Sequence, residues 1–155
     1  MSFEDDFSGK LELNGVEVRE EILKLRTELG FDNTKLSELW AFASYMCASP
    51  KNFLALVDTF DTMNSGVKNF IICAIVLHWH GGCAKGIWLD SGDLAGLSIK
   101  AKQFFKEVGD RLGLEFKFIV VASNDINERV IKKLNEEGHS IDVFGIGTNL
   151  VTCQA

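Results

Sequence analysis

Asp90 and Asp93 stand on either side of Ser91-Gly92, directly after the apolar run Gly86-Ile87-Trp88-Leu89. Two carboxylates at that spacing can hydrogen-bond sugar hydroxyls, hold Mg²⁺, or cap a helix that starts just beyond them. Asp93 immediately precedes a helical pattern and is the natural N-cap; Asp90, one residue past the apolar run, is the better candidate for a ligand contact. Further along, Gly145-Ile146-Gly147-Thr148 offers a second kind of chemistry. Missing side chains let the backbone approach a bound group, and successive N–H donors with the Thr148 hydroxyl would cradle an anion such as phosphate. A tight turn accounts for a Gly-x-Gly equally well; its place after a strand, on the same face as the acids, favours the cradle.

Other reactive residues say less. His78 and His80 fall on different sides of a helix and make a poor metal pair, and His139, in a Glu-Gly-His-Ser turn, is read as solvated. There is no locally supported Ser-His-Asp arrangement. Cys47, Cys73, Cys83 and Cys153 lack C-x-x-C spacing and read as free, buried thiols in a reducing cytosol. A net charge of -6 and a sequence pI near 5.1 disfavour nonspecific binding to nucleic acid or membrane surfaces. The longest apolar run, 70–77, is too short to span a bilayer, so the protein is expected to be soluble and cytoplasmic.

The elements that must position these residues follow from periodicity. Residues 1–15 read as a polar lead-in or short extended piece. Val16 to Leu29 has one apolar helical face closed by Gly30, and a second helix follows Asp32-Asn33-Thr34, which offer caps, until Ser49-Pro50 stops it. Trp40 and Phe42 are expected in the core. Strand and helix then alternate: a strand over 53–57 ending in Asp58-Thr59, a buried helix over 65–77, a strand over 84–89, a helix over 94–112, a strand over 116–122 ending in Ser123-Asn124-Asp125, a helix over 127–137 and a strand over 141–144. Alternation of this kind implies right-handed crossovers and a parallel sheet, whose carboxyl ends bring the four polar turns to one face. The competing possibility is four unrelated loops, since Ser, Asp, Asn and Gly fill any loop. With 155 residues the chain reads as a single α/β domain, a helical lead-in over 1–52 followed by strand-helix repeats over 53–155.

Val57-Asp58-Thr59-Phe60-Asp61-Thr62, Leu89-Asp90-Ser91-Gly92-Asp93-Leu94, Ser123-Asn124-Asp125-Ile126 and Gly145-Ile146-Gly147-Thr148, in this order, closely resemble the motifs of the nicotinate phosphoribosyltransferases, a type II phosphoribosyltransferase family. The resemblance runs from about Phe53 to the end and implies part of an irregular parallel α/β barrel. It implies condensation of nicotinate with phosphoribosyl diphosphate to nicotinate mononucleotide and pyrophosphate in NAD biosynthesis, driven by ATP through a phosphohistidine, with Mg²⁺ and a homodimeric assembly. By the same resemblance Thr148, Gly145 and Gly147 would hold the 5-phosphate, with Asp90, Ser91, Gly92 and Asp93 beside the ribose and pyridine ring and Asp58 and Asn124 among the substrate contacts.

Two departures stand out. The family usually has arginine two residues before the first Asp of the acidic turn, where it binds the nicotinate carboxylate; this chain has Trp88. Strand alternation puts Trp88 on the same face as Asp90, where an indole can stack on a pyridine but cannot form a bidentate charged contact. The family's amino-terminal domain, diphosphate-contacting arginine region, phosphohistidine segment and carboxyl-terminal part also have no counterpart here. Four strands cannot close a barrel, so the expectation is a central fragment that lacks the ATP-coupled chemistry by itself. Two alternatives are a truncated, non-catalytic module binding a phosphorylated ligand or partner subunit, and a small doubly wound nucleotide-binding domain complete in itself.

Overall fold

The computed structural model describes residues 9–90, 92–123, 128–146 and 149–152. The chain forms two compact units, Met1–Lys85 and Gly86–Ala155.

The first unit begins with a hairpin that the sequence pattern did not announce as one. Strands β1 (Glu12–Leu13) and β2 (Val16–Glu17) pair antiparallel across Asn14 and Gly15. Both turn residues have positive φ, 54° and 79°, the geometry that an Asn-Gly turn supplies at least cost. Because β2 takes Val16 and Glu17, helix α1 starts later than its apolar spacing suggests, at Arg19–Glu28, with Ile22 and Leu25 buried. Helix α2 (Leu36–Ala48) follows, and Asp32-Asn33-Thr34 do not cap it. Its N-cap is Lys35, with no side-chain cap bond; the Thr34 hydroxyl instead accepts from Arg26 Nε at 3.1 Å, and Asp32 Oδ1 accepts from the Thr27 hydroxyl at 2.9 Å. The loop is thus tied back to α1. Trp40 is in the core as expected, whereas Phe42 is only half-buried.

After strand β3 (Leu54–Leu56), flanked by the buried Phe53 and Val57, the chain makes one π-helical turn over Thr62–Gly66 and enters α3 (Val67–Trp79). The Asp61 carboxylate accepts from Asn64 N at 3.1 Å and holds the start of that turn. Helix α3 is buried almost all round, packs on α1 and α2, and sets the Phe70 ring against Phe53, tilted, at 5.4 Å. Its entry passes so close to the chain after β3 that a Cβ on Gly66 would stand 1.9 Å from Val57 O.

One polar cluster lies inside this apolar packing. Glu38 Oε1 accepts from the Ser65 hydroxyl at 2.8 Å and from Asn69 Nδ2 at 3.1 Å, while among the described residues Glu38 Oε2 and Asn69 Oδ1 have no hydrogen-bond partner. Burial pushes the Glu38 carboxyl above the usual glutamate value of 4.5, against the smaller lowering effect of those two bonds. The folded state therefore holds its proton to higher pH than the unfolded chain. The stability contributed below the usual value is lost as pH rises through the raised one. Glu38→Gln keeps an acceptor oxygen for Ser65 and Asn69 and removes the cost of burying a carboxylate. It is expected to raise stability at pH 7 by about 1 kcal/mol and to flatten the pH dependence above the usual glutamate value, as read by urea unfolding across that range.

The second unit is built on a mixed sheet. Strands β4 (Gly86–Leu89), β5 (Ile119–Ala122) and β6 (Val143–Ile146) are parallel neighbours in that order, and β7 (Asn149–Thr152) runs antiparallel to β6. The α/β alternation is as the sequence predicts, with helix α4 (Leu94–Leu112) between β4 and β5 and α5 (Glu128–Glu137) between β5 and β6. The final antiparallel strand is not. It also means that Gly145 lies inside β6, opposite Leu150, and not in a loop beyond the strand.

Helix α4 buries Ala101, Phe105 and Val108 and turns Lys100, Gln103, Lys106 and Asp110 to solvent; Gly113 ends it at φ 70°. Strand β5 begins later than its apolar run because the two phenylalanines before it pack on each other and on α4. Phe116 and Phe118 stack at 4.9 Å, and Phe105 meets Phe118 edge-on at 5.0 Å.

Cys47, Cys73 and Cys83 are free thiols; Cys73 is buried, Cys47 half-buried and Cys83 exposed, so the expected burial holds for one of the three, and Cys153 lies outside the described residues. Among the described residues no helix is long and apolar enough to cross a membrane.

Candidate functional site

The carboxyl edge of β4 and β5 places three side chains in one hydrogen-bonded series. In β4, Ile87 and Leu89 are fully buried while Trp88 is 37% exposed, so alternation turns the indole away from the core, on the side shared with Asp90. The parallel register pairs Leu89 with Ala122, and Ser123 N continues the ladder by donating to Leu89 O at 3.0 Å. That extension brings Ser123 beside Asp90. The Trp88 indole Nε1–H donates to Ser123 Oγ at 2.7 Å, and the Ser123 hydroxyl donates to Asp90 Oδ1 at 2.9 Å. Each bond has the right donor: an indole can only donate, and a serine hydroxyl can accept one bond while donating another.

Asp93 does the work its position suggests. It is the N-cap of α4, its Oδ1 accepting from Gly96 N at 3.1 Å. A Cβ on Gly96 would stand 2.3 Å from Asp93 Oδ2, so the small residue there leaves room for the capping carboxylate. Gly92, just before it, has φ 78°, the left-handed conformation that lets the chain turn from strand to helix. Asp93→Ala is expected to cost about 1 kcal/mol in urea unfolding, and Asp93→Ser to recover most of it, because serine restores an acceptor for the helix N–H.

The other candidates separate. Gly145 belongs to the same sheet as Trp88, two strands away from β4, whose end precedes Asp90 and Asp93. Asp58 is half-buried and lies two residues past β3, in the first unit. Ser91, Asn124, Gly147 and Thr148 lie outside the described residues. The residue not singled out from sequence is Ser123. Its signals are its place directly after the apolar run of β5 and at the head of the motif Ser123-Asn124-Asp125-Ile126, and its partners Trp88 and Asp90 are 35 and 33 residues away.

His80 and His139 take structural roles. His80 Nε2 is 2.7 Å from Glu21 Oε2. His139 is not simply solvated: its Nδ1 accepts from Ile141 N at 2.9 Å, which leaves Nε2–H to donate to Asn135 Oδ1 at 2.7 Å. Among the described residues no three of His, Cys, Asp and Glu come together as an all-protein metal site would require, and no step is assigned to Mg²⁺.

No protein-family model matches the chain. Individual relatives do. The chain is 54% identical over 134 residues to the nicotinate phosphoribosyltransferase of Dictyostelium discoideum, a match covering 85% of this chain and 23% of that protein. It is 54% identical over 127 residues to nicotinate phosphoribosyltransferase 1 of Arabidopsis thaliana, covering 81% of this chain and 23% of the relative. The human nicotinate phosphoribosyltransferase is 35% identical over 127 residues, covering 81% and 24%. The fold agrees: the crystal structure of human nicotinic acid phosphoribosyltransferase superposes with a TM-score of 0.76 at 29% identity, covering 90% of this chain and 30% of that one. Ordered motifs, relatives and fold thus converge, and the chain belongs to the nicotinate phosphoribosyltransferase family, spanning about a quarter of those relatives' length.

Proposed function

We propose that the chain supplies the mononucleotide-binding part of a nicotinate phosphoribosyltransferase, which transfers the 5-phosphoribosyl group of phosphoribosyl diphosphate to nicotinate, yielding nicotinate mononucleotide and pyrophosphate for NAD biosynthesis. The observation that carries this is the Trp88-Ser123-Asp90 series at the carboxyl edge of adjacent parallel strands, within a sequence 54% identical to such an enzyme. Ligands of α/β proteins lie at that edge. In this reading Asp90 accepts from ribose hydroxyls, with Ser91, Gly92 and Asn124 as further substrate contacts. Gly145, Gly147 and Thr148 hold the 5-phosphate through backbone N–H groups and a hydroxyl. Asp93 supports the turn by capping α4.

Trp88 lies beside the pyridine. Its only N–H is engaged by Ser123, so it offers the ring its π face and makes no charged contact with the carboxylate. Completing the reading, the sheet is part of an irregular α/β barrel, the working protein is a cytoplasmic homodimer, and ATP hydrolysis supplies the driving force of the reaction.

The experiment is turnover by this chain and by a version extended at both ends with the flanking sequences of the Dictyostelium relative. Formation of nicotinate mononucleotide by the extended version supports the assignment. Its failure to form any, with the extended protein folded by circular dichroism, defeats it.

A further inference from the structure

We propose that Ser123 is a positioning residue, which locks the Trp88 indole and the Asp90 carboxylate into one unit and thereby fixes a stacking platform for a planar heteroaromatic ring at a set place beside the sugar-binding acid. The proposal deepens the functional reading above and rests on it. Three observations carry it.

The first is direction. Trp88 Nε1–H can only donate, the carboxylate of Asp90 can only accept, and Ser123 Oγ stands between them at 2.7 Å and 2.9 Å, accepting one bond and donating the other. Each bond polarises the hydroxyl for the next, so the two strengthen each other. The serine itself is fixed by its backbone, which extends the β4-β5 ladder through Leu89 O.

The second is exposure. Trp88 and Asp90 are both exposed, and water competes for such bonds, so this series contributes little to folding. Its main consequence is geometric: it ties the exposed indole, in one orientation, to the serine that also bonds the carboxylate.

The third is chemistry. With its sole donor engaged, the indole presents an uncharged π face, and the group fastened to it is an acid. A planar ring carried by a ribose suits that pair: the ring on the indole, the hydroxyls on the carboxylate. Holding the indole in place before the ligand arrives removes an ordering cost that binding would otherwise bear.

The test uses Ser123→Ala and Ser123→Thr, the second retaining a β-hydroxyl. In ¹H–¹⁵N spectra of the chain the three tryptophans give three indole cross-peaks, and Trp88→Phe identifies the one from Trp88. Ser123→Ala is expected to move that indole proton upfield while the other two peaks stay, and Ser123→Thr to return it. In the extended protein Ser123→Ala is expected to raise the KM for nicotinate about ten-fold, with a smaller fall in kcat, and Ser123→Thr to restore most of the difference. An indole peak unmoved in Ser123→Ala overturns the lock. A moved peak with unchanged KM and kcat overturns the positioning role. A moved peak in a chain whose extended wild type makes no mononucleotide upholds the lock and defeats the activity assignment instead.

Discussion

Asp90→Asn in the extended protein is expected to lower kcat/KM for nicotinate mononucleotide formation by about 10²–10³-fold while leaving urea unfolding of the chain nearly unchanged. Transfer of a ribosyl group breaks the bond from C1 to the leaving diphosphate and builds positive charge on the sugar, so a fixed carboxylate beside it stabilises the transition state more than the ground state. Asparagine has almost the same shape and still offers Ser123 an acceptor oxygen, so the Trp88-Ser123 bond and the turn to α4 survive. What is lost is charge. Asp90 is exposed at the sheet edge, which is why the substitution separates activity from stability. Steady-state kinetics beside a urea titration checks this. An equal loss in both would mean that Asp90 serves the fold, and unchanged kinetics would remove it from the site.

The largest effect on folding is expected at Gly86. A Cβ built there would stand 2.0 Å from Ile119 O and 2.7 Å from Ile119 N, inside the van der Waals radius of backbone atoms that the β4-β5 ladder holds in place. A long side chain could swing aside, but a backbone carbonyl in a parallel ladder moves only with its strand. Gly86→Ala is therefore expected to destabilise the protein by about 3 kcal/mol, at the upper end of overpacking substitutions. The site should suffer with it, because the register Gly86↔Ile119 through Leu89↔Ala122 is what brings Ser123 to Asp90. Lys85→Ala, at the exposed neighbouring residue, should change the urea midpoint little. Similar midpoints for the two variants would show that β4 and β5 can slide apart without cost.

Much of this architecture is legible in the sequence, for reasons that can be stated residue by residue. Helix α4 runs over Leu94–Leu112 in the sequence pattern and in the structure alike, because an Asp N-cap, a sustained helical period and a glycine just past the end all agree. Asp93 as cap follows from the same logic. The hairpin of β1 and β2 is too short for any period to show, although Asn14-Gly15 at its turn carries the signal in two residues. Strand β7 lacks a long apolar run, and its pairing with β6 is what draws Gly145 into the ladder. Phe116-Lys117-Phe118 looks like a strand because aromatics favour strands, yet those rings stack on each other before the ladder begins. Asp32-Asn33-Thr34 have the composition of a cap and bond to the preceding helix, since Arg26 reaches them first.

The site divides in the same way. That Asp90 and Trp88 share a face is readable from alternation within one strand. That Ser123 joins them is not, because it depends on the register between two strands separated by a whole helix, and local sequence does not encode register. A serine after a strand looks like any loop residue until its neighbour is known.

On the proposal above, this chain itself carries the mononucleotide site. The most direct measurement is calorimetric titration of nicotinate mononucleotide into the chain, as wild type and as Thr148→Ala. Saturable binding by the wild type is expected, with an affinity about ten-fold or more lower for Thr148→Ala, the cost of removing a hydrogen bond to a charged phosphate. Absence of binding by the wild type, or equal affinity for both proteins, would contradict it.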